Sequence, residues 1–118
     1  SIGCKTTIVP SCEALIQEFM DNPNKYNVII TNNTYSNNGS GEEVLKVVKK
    51  IRKDIKVIVL TVERNETKHF INIIGFDGYL EKPLDQRKAI SVLTALIPKL
   101  KFNRVEPMYY IYNNKNRF

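Results

Sequence analysis

The chain has 118 residues, 42% of them hydrophobic and 25% charged, with a formal net charge of +6. That length suits one domain with its own core, and the composition excludes disordered and fibrous classes. No apolar run approaches the length of a membrane span and no leader is visible, which argues against insertion in a bilayer.

The two cysteines, Cys4 and Cys12, have no metal-binding spacing, so a reduced, cytoplasmic protein is expected. Ser at position 1, where a start methionine would stand, suggests a piece cut from a longer protein. The positive charge raises nucleic acid and anionic membrane surfaces as partners. The basic residues are nevertheless spread, with modest groups at Lys46, Lys49, Lys50, Arg52 and Lys53 and at Lys99, Lys101 and Arg104. No aromatic platform accompanies either group, so a solvated face is the better reading and nucleic acid is not the expected partner.

Cys4 to Val9 reads as a short strand stopped by Pro10. Ser11 can cap a helix over residues 12–21, with Glu13 near its positive end. Ala14, Leu15, Phe19 and Met20 are its candidate apolar face. Asp21-Asn22-Pro23-Asn24 breaks that helix, and Tyr26 to Thr31 is a β-branched run expected as the second strand. A polar loop from Asn32 to Ser40 follows. Val44, Val47, Val48 and Ile51 then recur at helical steps, predicting an amphipathic helix over 42–52.

The third strand is expected over 56–60; its Val57 to Leu60 is a continuous apolar run of the kind buried on both faces of a parallel sheet, and Thr61 ends it with a hydroxyl. A helix over 65–74 is predicted from Phe70, Ile71, Ile73 and Ile74, with Gly75 as its stop. Asp77 to Leu80 is the fourth strand, followed by Glu81-Lys82-Pro83. A last helix is expected over 86–97, before Pro98. Strands alternating with helices at short intervals predict an α/β fold with a doubly wound parallel sheet. In such sheets ligands collect at the carboxyl ends of strands, where Thr61 and Lys82 would sit together.

The strand ending in Thr61, with Gly75-Phe76-Asp77-Gly78-Tyr79-Leu80-Glu81-Lys82-Pro83 after it, resembles the second half of response-regulator receiver domains. Hydroxyl, aromatic, lysine and proline occur in the family's order over residues 4–98, leaving 99–118 as a basic extension of a single domain. The resemblance implies a flavodoxin-like fold and a role in two-component signalling. It also implies that Thr61, Tyr79, Lys82 and Pro83 occupy switch and site positions. The family's acceptor aspartate corresponds to Asn32, and the Asn38-Gly39 turn supports that alignment. An amide oxygen is a poor nucleophile and carries no charge for a cation.

The chain also lacks the family's first strand and helix. Met108 to Tyr112 is a β-prone run followed by Asn113 and Asn114, which matches the missing strand with both its acids replaced. Such a segment can fill the central slot of the sheet, as in a circular permutation. The rival readings are a strand from a partner chain, a flexible tail and an edge strand.

The expectation is therefore a receiver-like domain that is neither phosphorylated nor an enzyme, with no cofactor and weak or absent Mg²⁺ binding. Its partner would be a protein or a neighbouring domain of a sensor kinase or response regulator, and a homodimer is compatible. By resemblance, Lys68, Asn72 and Arg87 join Tyr79 on the contact face. The alternatives are a displaced acceptor, with Asp54 and Asp77 as candidates, and a basic nucleic-acid-binding module. His69 reads as a surface residue, and no zinc spacing, catalytic triad or glycine-rich phosphate loop is present.

Overall fold

In a computed structural model, residues 4–33, 39–62, 68–82, 87, 91, 92, 95 and 108–113 are described, with backbone alone at 4–6, 8 and 108–113. The strands are β1 (Cys4–Val9), β2 (Val28–Asn32), β3 (Lys56–Thr61), β4 (Gly78–Glu81) and β5 (Met108–Asn113). Helices α1 (Cys12–Asp21) and α2 (Gly41–Ile51) follow the first two strands, and α3 (His69–Ile74) precedes β4. The sheet order is β1-β5-β2-β3-β4, and every pairing is parallel.

The C-terminal segment thus fills the central slot, as the match of residues 108–112 to a missing first strand had suggested. β5 pairs with β1 from Cys4↔Met108 to Val9↔Asn113, and with β2 from Val28↔Tyr110 to Ile30↔Tyr112. A slot left empty there would strand two rows of backbone donors and acceptors.

One side of the sheet holds the main core. Ile29, Val57 and Val59 meet Leu15 and Phe19 of α1, Val44 and Val48 of α2, and Phe70 and Phe76. Val28, Ile30, Ile58, Leu60 and Leu80 are equally removed from solvent, as the continuous apolar runs of β2 and β3 require. Both long helices are capped by serine: Ser11 Oγ accepts from Ala14 N at 3.0 Å, and Ser40 Oγ from Glu43 N at 3.1 Å.

Several local expectations are corrected. Met20 is 53% exposed, because one residue past Phe19 turns it about 100° from the buried stripe. Ile51 is also exposed, as the final residue of α2 with no further turn after it. Tyr26 lies before β2, not in it, and is buried with its hydroxyl donating to Glu18 Oε2 at 2.6 Å. The same hydroxyl exchanges a hydrogen bond with Thr7 Oγ1 at 3.0 Å, tying β1 and α1 to the start of β2.

α3 is a π-type helix, and only Phe70 on it is fully buried. Gly75 (φ 102°) and Phe76 both donate their N–H to Phe70 O at 3.0 Å, closing a wide turn that a residue with a Cβ would strain. β4 starts at Gly78, leaving Asp77 in the turn before it. Most of the predicted helix 86–97 lies outside the described residues, although positions 87, 91, 92 and 95 are helical. The segment 99–107, Asn38, Pro83 and Asn114 also lie outside them.

Candidate functional site at the carboxyl edge of the sheet

Parallel pairing brings all five strand ends to one edge. Reading across it, Val9, Asn113, Asn32, Thr61 and Glu81 are the last residues of β1, β5, β2, β3 and β4. Lys82 follows directly and is half-buried, with its backbone N–H donating to Thr61 O at 2.9 Å. Asn32, Thr61 and Lys82 therefore stand at neighbouring strand ends, where an α/β sheet holds its ligands.

The backbone around Asn32 is tightly held. Its register partner is Leu60, and Asn33 N donates to Leu60 O at 3.2 Å, extending the pairing past the strand. Thr31 Oγ1 donates to Asn32 O at 3.0 Å. Gly41 N donates to Asn33 O at 2.9 Å, and a Cβ at Gly41 would stand 2.5 Å from Asn32 O. Only glycine allows α2 to start that close to the end of β2.

The Asn32 side chain contrasts with this backbone. The residue is 6% exposed, and its Oδ1 accepts no hydrogen bond among the described residues. A buried acceptor without a donor costs on the order of 1–3 kcal/mol. Thr61 is buried at 3% exposure. Tyr79 packs against the main core and donates its hydroxyl to Glu81 Oε1 at 2.9 Å. Lys68, Asn72 and Arg87 are exposed, on or beside helical residues that flank β4 in sequence.

Asp54 and Asp77 are at the other end of the sheet. Asp77 Oδ2 accepts from Val57 N at 2.8 Å, while Asp77 N donates to Val57 O at 2.9 Å. Lys49 Nζ is 2.9 Å from the same carboxylate oxygen and also donates to Ile55 O. Asp54, before β3, pairs with Arg52 Nε at 2.8 Å, and that guanidinium holds its carboxyl below the usual range. From Val57 to Thr61 the strand rises roughly 13 Å, which separates these carboxylates from the carboxyl edge.

Cys12 is buried, and burial followed by the Glu43 carboxylate pushes its thiol up. Its Sγ lies 4.0 Å from Ser40 O, a contact between the starts of α1 and α2. Among the described residues no group of three His, Cys, Asp or Glu can hold a metal ion, and no helix is long and apolar enough to cross a membrane.

Three solved structures resemble the chain in fold. A two-component response regulator from Clostridium difficile matches with TM-score 0.65 and 22% identity, covering 81% of this chain and 77% of that one. A response regulator receiver domain protein from Clostridium thermocellum matches with TM-score 0.65 and 25% identity, covering 77% and 72%. The fold is that of a response-regulator receiver domain. A response regulator receiver protein from Sinorhizobium medicae WSM419 agrees, with TM-score 0.64, 18% identity and coverage of 80% and 74%. No protein-family model and no curated protein matches the chain.

The receiver fold bears on the cation that the family resemblance implies. A hard divalent ion favours charged oxygen ligands. Asn32 offers a neutral amide at the end of β2. A neutral amide at that position does not fit Mg²⁺ as a carboxylate would. Sequence reasoning reads Gly41 as a turn residue before α2 and misses its close approach to Asn32 O, which depends on a loop return that periodicity does not encode. It also missed the Tyr79–Glu81 bond, which alternation along β4 could have indicated by putting both residues on one face.

Proposed function

We propose that this domain is a receiver of two-component signalling that takes no phosphoryl group and acts by contacting a protein or a neighbouring domain. The observation that carries this reading is Asn32: a buried amide at the end of β2, beside Thr61 and Lys82, with an acceptor oxygen that has no partner among the described residues. A carboxylate there could attack a phosphoryl group and hold a cation, whereas an amide can do neither well. In this reading the domain turns over nothing itself and needs no cofactor. Lys68, Asn72, Tyr79 and Arg87 are the residues we assign to its contact face.

The displaced-acceptor alternative is weakened by the positions of Asp54 and Asp77 at the amino edge, far from Thr61 and Lys82. The nucleic-acid alternative is weakened by pairing within the basic group. Lys46 meets Glu42 at 3.0 Å, Lys49 meets Asp77, and Arg52 meets Asp54. Calorimetric titration with Mg²⁺ tests the proposal. The parent should give no saturable heat, and Asn32→Asp should gain a measurable site. Saturable binding by the parent would sink the proposal.

A further inference from the structure

α3 is the element whose sequence and winding disagree. Phe70, Ile73 and Ile74 recur at steps of three and four, the period of an α-helix. At about 100° per residue, that winding sets Ile74 about 40° and Ile73 about 60° from Phe70, so the three share one face. The wider i→i+5 winding turns less per residue and carries Ile73 further round. Burial follows the wider winding: Phe70 is buried, Ile71 and Ile74 are half-buried against the main core, and Ile73 is 73% exposed. The ends are loosely specified. No side chain caps the start of α3, whereas serines cap α1 and α2, and neither its first turn nor its last carries a charge that suits the helix dipole. At its close Phe70 O takes both Gly75 N and Phe76 N, whereas α winding pairs that oxygen with Ile74 N.

We propose that α3 is a two-state helix: wound as observed with Ile73 outside, and in a second state wound as an α-helix with Ile73 turned towards the core. In the change Ile74 N takes Phe70 O and Gly75 N passes to Ile71 O, so one backbone acceptor is exchanged for another. The flanks of the change are fixed. Phe70 is buried with its ring edge-on to Phe76 at 6.1 Å, and Asp77 is bound to Val57 through both backbone and side chain. Between them Gly75 is exposed, with no atom within 4 Å of where a Cβ would stand, which leaves room for the turn to be redrawn. A conflict between local period and tertiary winding is of the kind that sequences keep at functional positions. The consequence falls on the contact face assigned above, to which Lys68 and Asn72 belong: a partner that grips Ile73 selects the observed winding. The two windings themselves depend neither on that assignment nor on Asn32.

Nuclear magnetic resonance relaxation dispersion on the parent tests the proposal, with Ile73→Asn and Ile73→Leu beside it. Ile73 is exposed, so neither substitution threatens the fold. We expect microsecond-to-millisecond exchange at amides 71–76, with a minor form of about 1–10%, and none from Val57 to Leu60. Ile73→Asn removes the gain from burying that side chain and should cut the minor population about tenfold or more, whereas Ile73→Leu should retain it. A flat profile over 71–76 in the parent overturns the proposal. Exchange that survives Ile73→Asn unchanged overturns it too, as does exchange that is lost equally in Ile73→Leu or that spreads over the whole sheet.

Discussion

The two edges of the sheet are built differently, although the same strands supply both. At the amino edge Asp77 holds Val57 N and Lys49, and Lys49 reaches on to Ile55 O. Nearby, Arg52 holds Asp54 and also donates to Pro23 O at 2.8 Å. Charged groups there have partners that lock helices and loops to strand starts. At the carboxyl edge the backbone is as well tied, yet the Asn32 side chain is buried and its oxygen has no partner among the described residues. Charged groups at the first edge are paired, and at the second one buried amide oxygen is not, among the described residues. That contrast supports the proposal that the carboxyl edge is the functional end of the molecule.

The largest expected effect comes from breaking the satisfied edge. Asp77→Ala removes the acceptor of a backbone N–H and the partner of Lys49, and should lower stability by about 2–3 kcal/mol. Asn32→Ala, which removes an unpaired acceptor, should stay within about 1 kcal/mol of the parent. Urea unfolding of both variants decides the matter, and equal losses would erase the distinction between the edges.

Gly41→Ala probes the backbone at the carboxyl edge. The added Cβ meets Asn32 O at 2.5 Å, a clash with backbone that costs about 1–3 kcal/mol. Reduced freedom of the unfolded chain offsets about 0.4–1 kcal/mol of that. A net loss should appear in the denaturation midpoint, and a gain would mean that α2 is free to draw back from β2.

A smaller effect distinguishes the ties of β1 from both edges. Burial, with the Glu18 carboxylate next, pushes Tyr26 up to about 12, against 10 for the free phenol. Its stabilising contribution is thus complete below about pH 10 and is lost as pH rises towards about 12. Tyr26→Phe should show a shallower loss of stability over that window than the parent. Parallel curves for the two proteins would remove Tyr26 from the account.

Much of this contrast was readable in the sequence. The β-branched runs of β2 and β3 are too short for ordinary helices and too apolar for an exposed strand, which made the parallel sheet legible. The spacing of Thr61 and Lys82 indicated a common edge, and the run at 108–112 was legible as a strand because the slot required one. The side-chain partners were not legible. Asp77 reads as the start of the fourth strand, and nothing local tells that it stands in the turn before it with its carboxylate on a strand start twenty positions earlier. The π-type turn of α3 was equally hidden, since six residues do not separate its period from 3.6. Ile73 was expected on an apolar face and is 73% exposed.

The most direct test of the central claim is intact mass after incubation with a small phosphodonor and Mg²⁺, with parent and Asn32→Asp compared side by side. The account predicts no phosphoryl adduct on the parent and an adduct on the variant, because Thr61 and Lys82 still flank the restored carboxylate. An adduct on the parent would contradict it, and peptide mapping would then locate an acceptor other than Asn32.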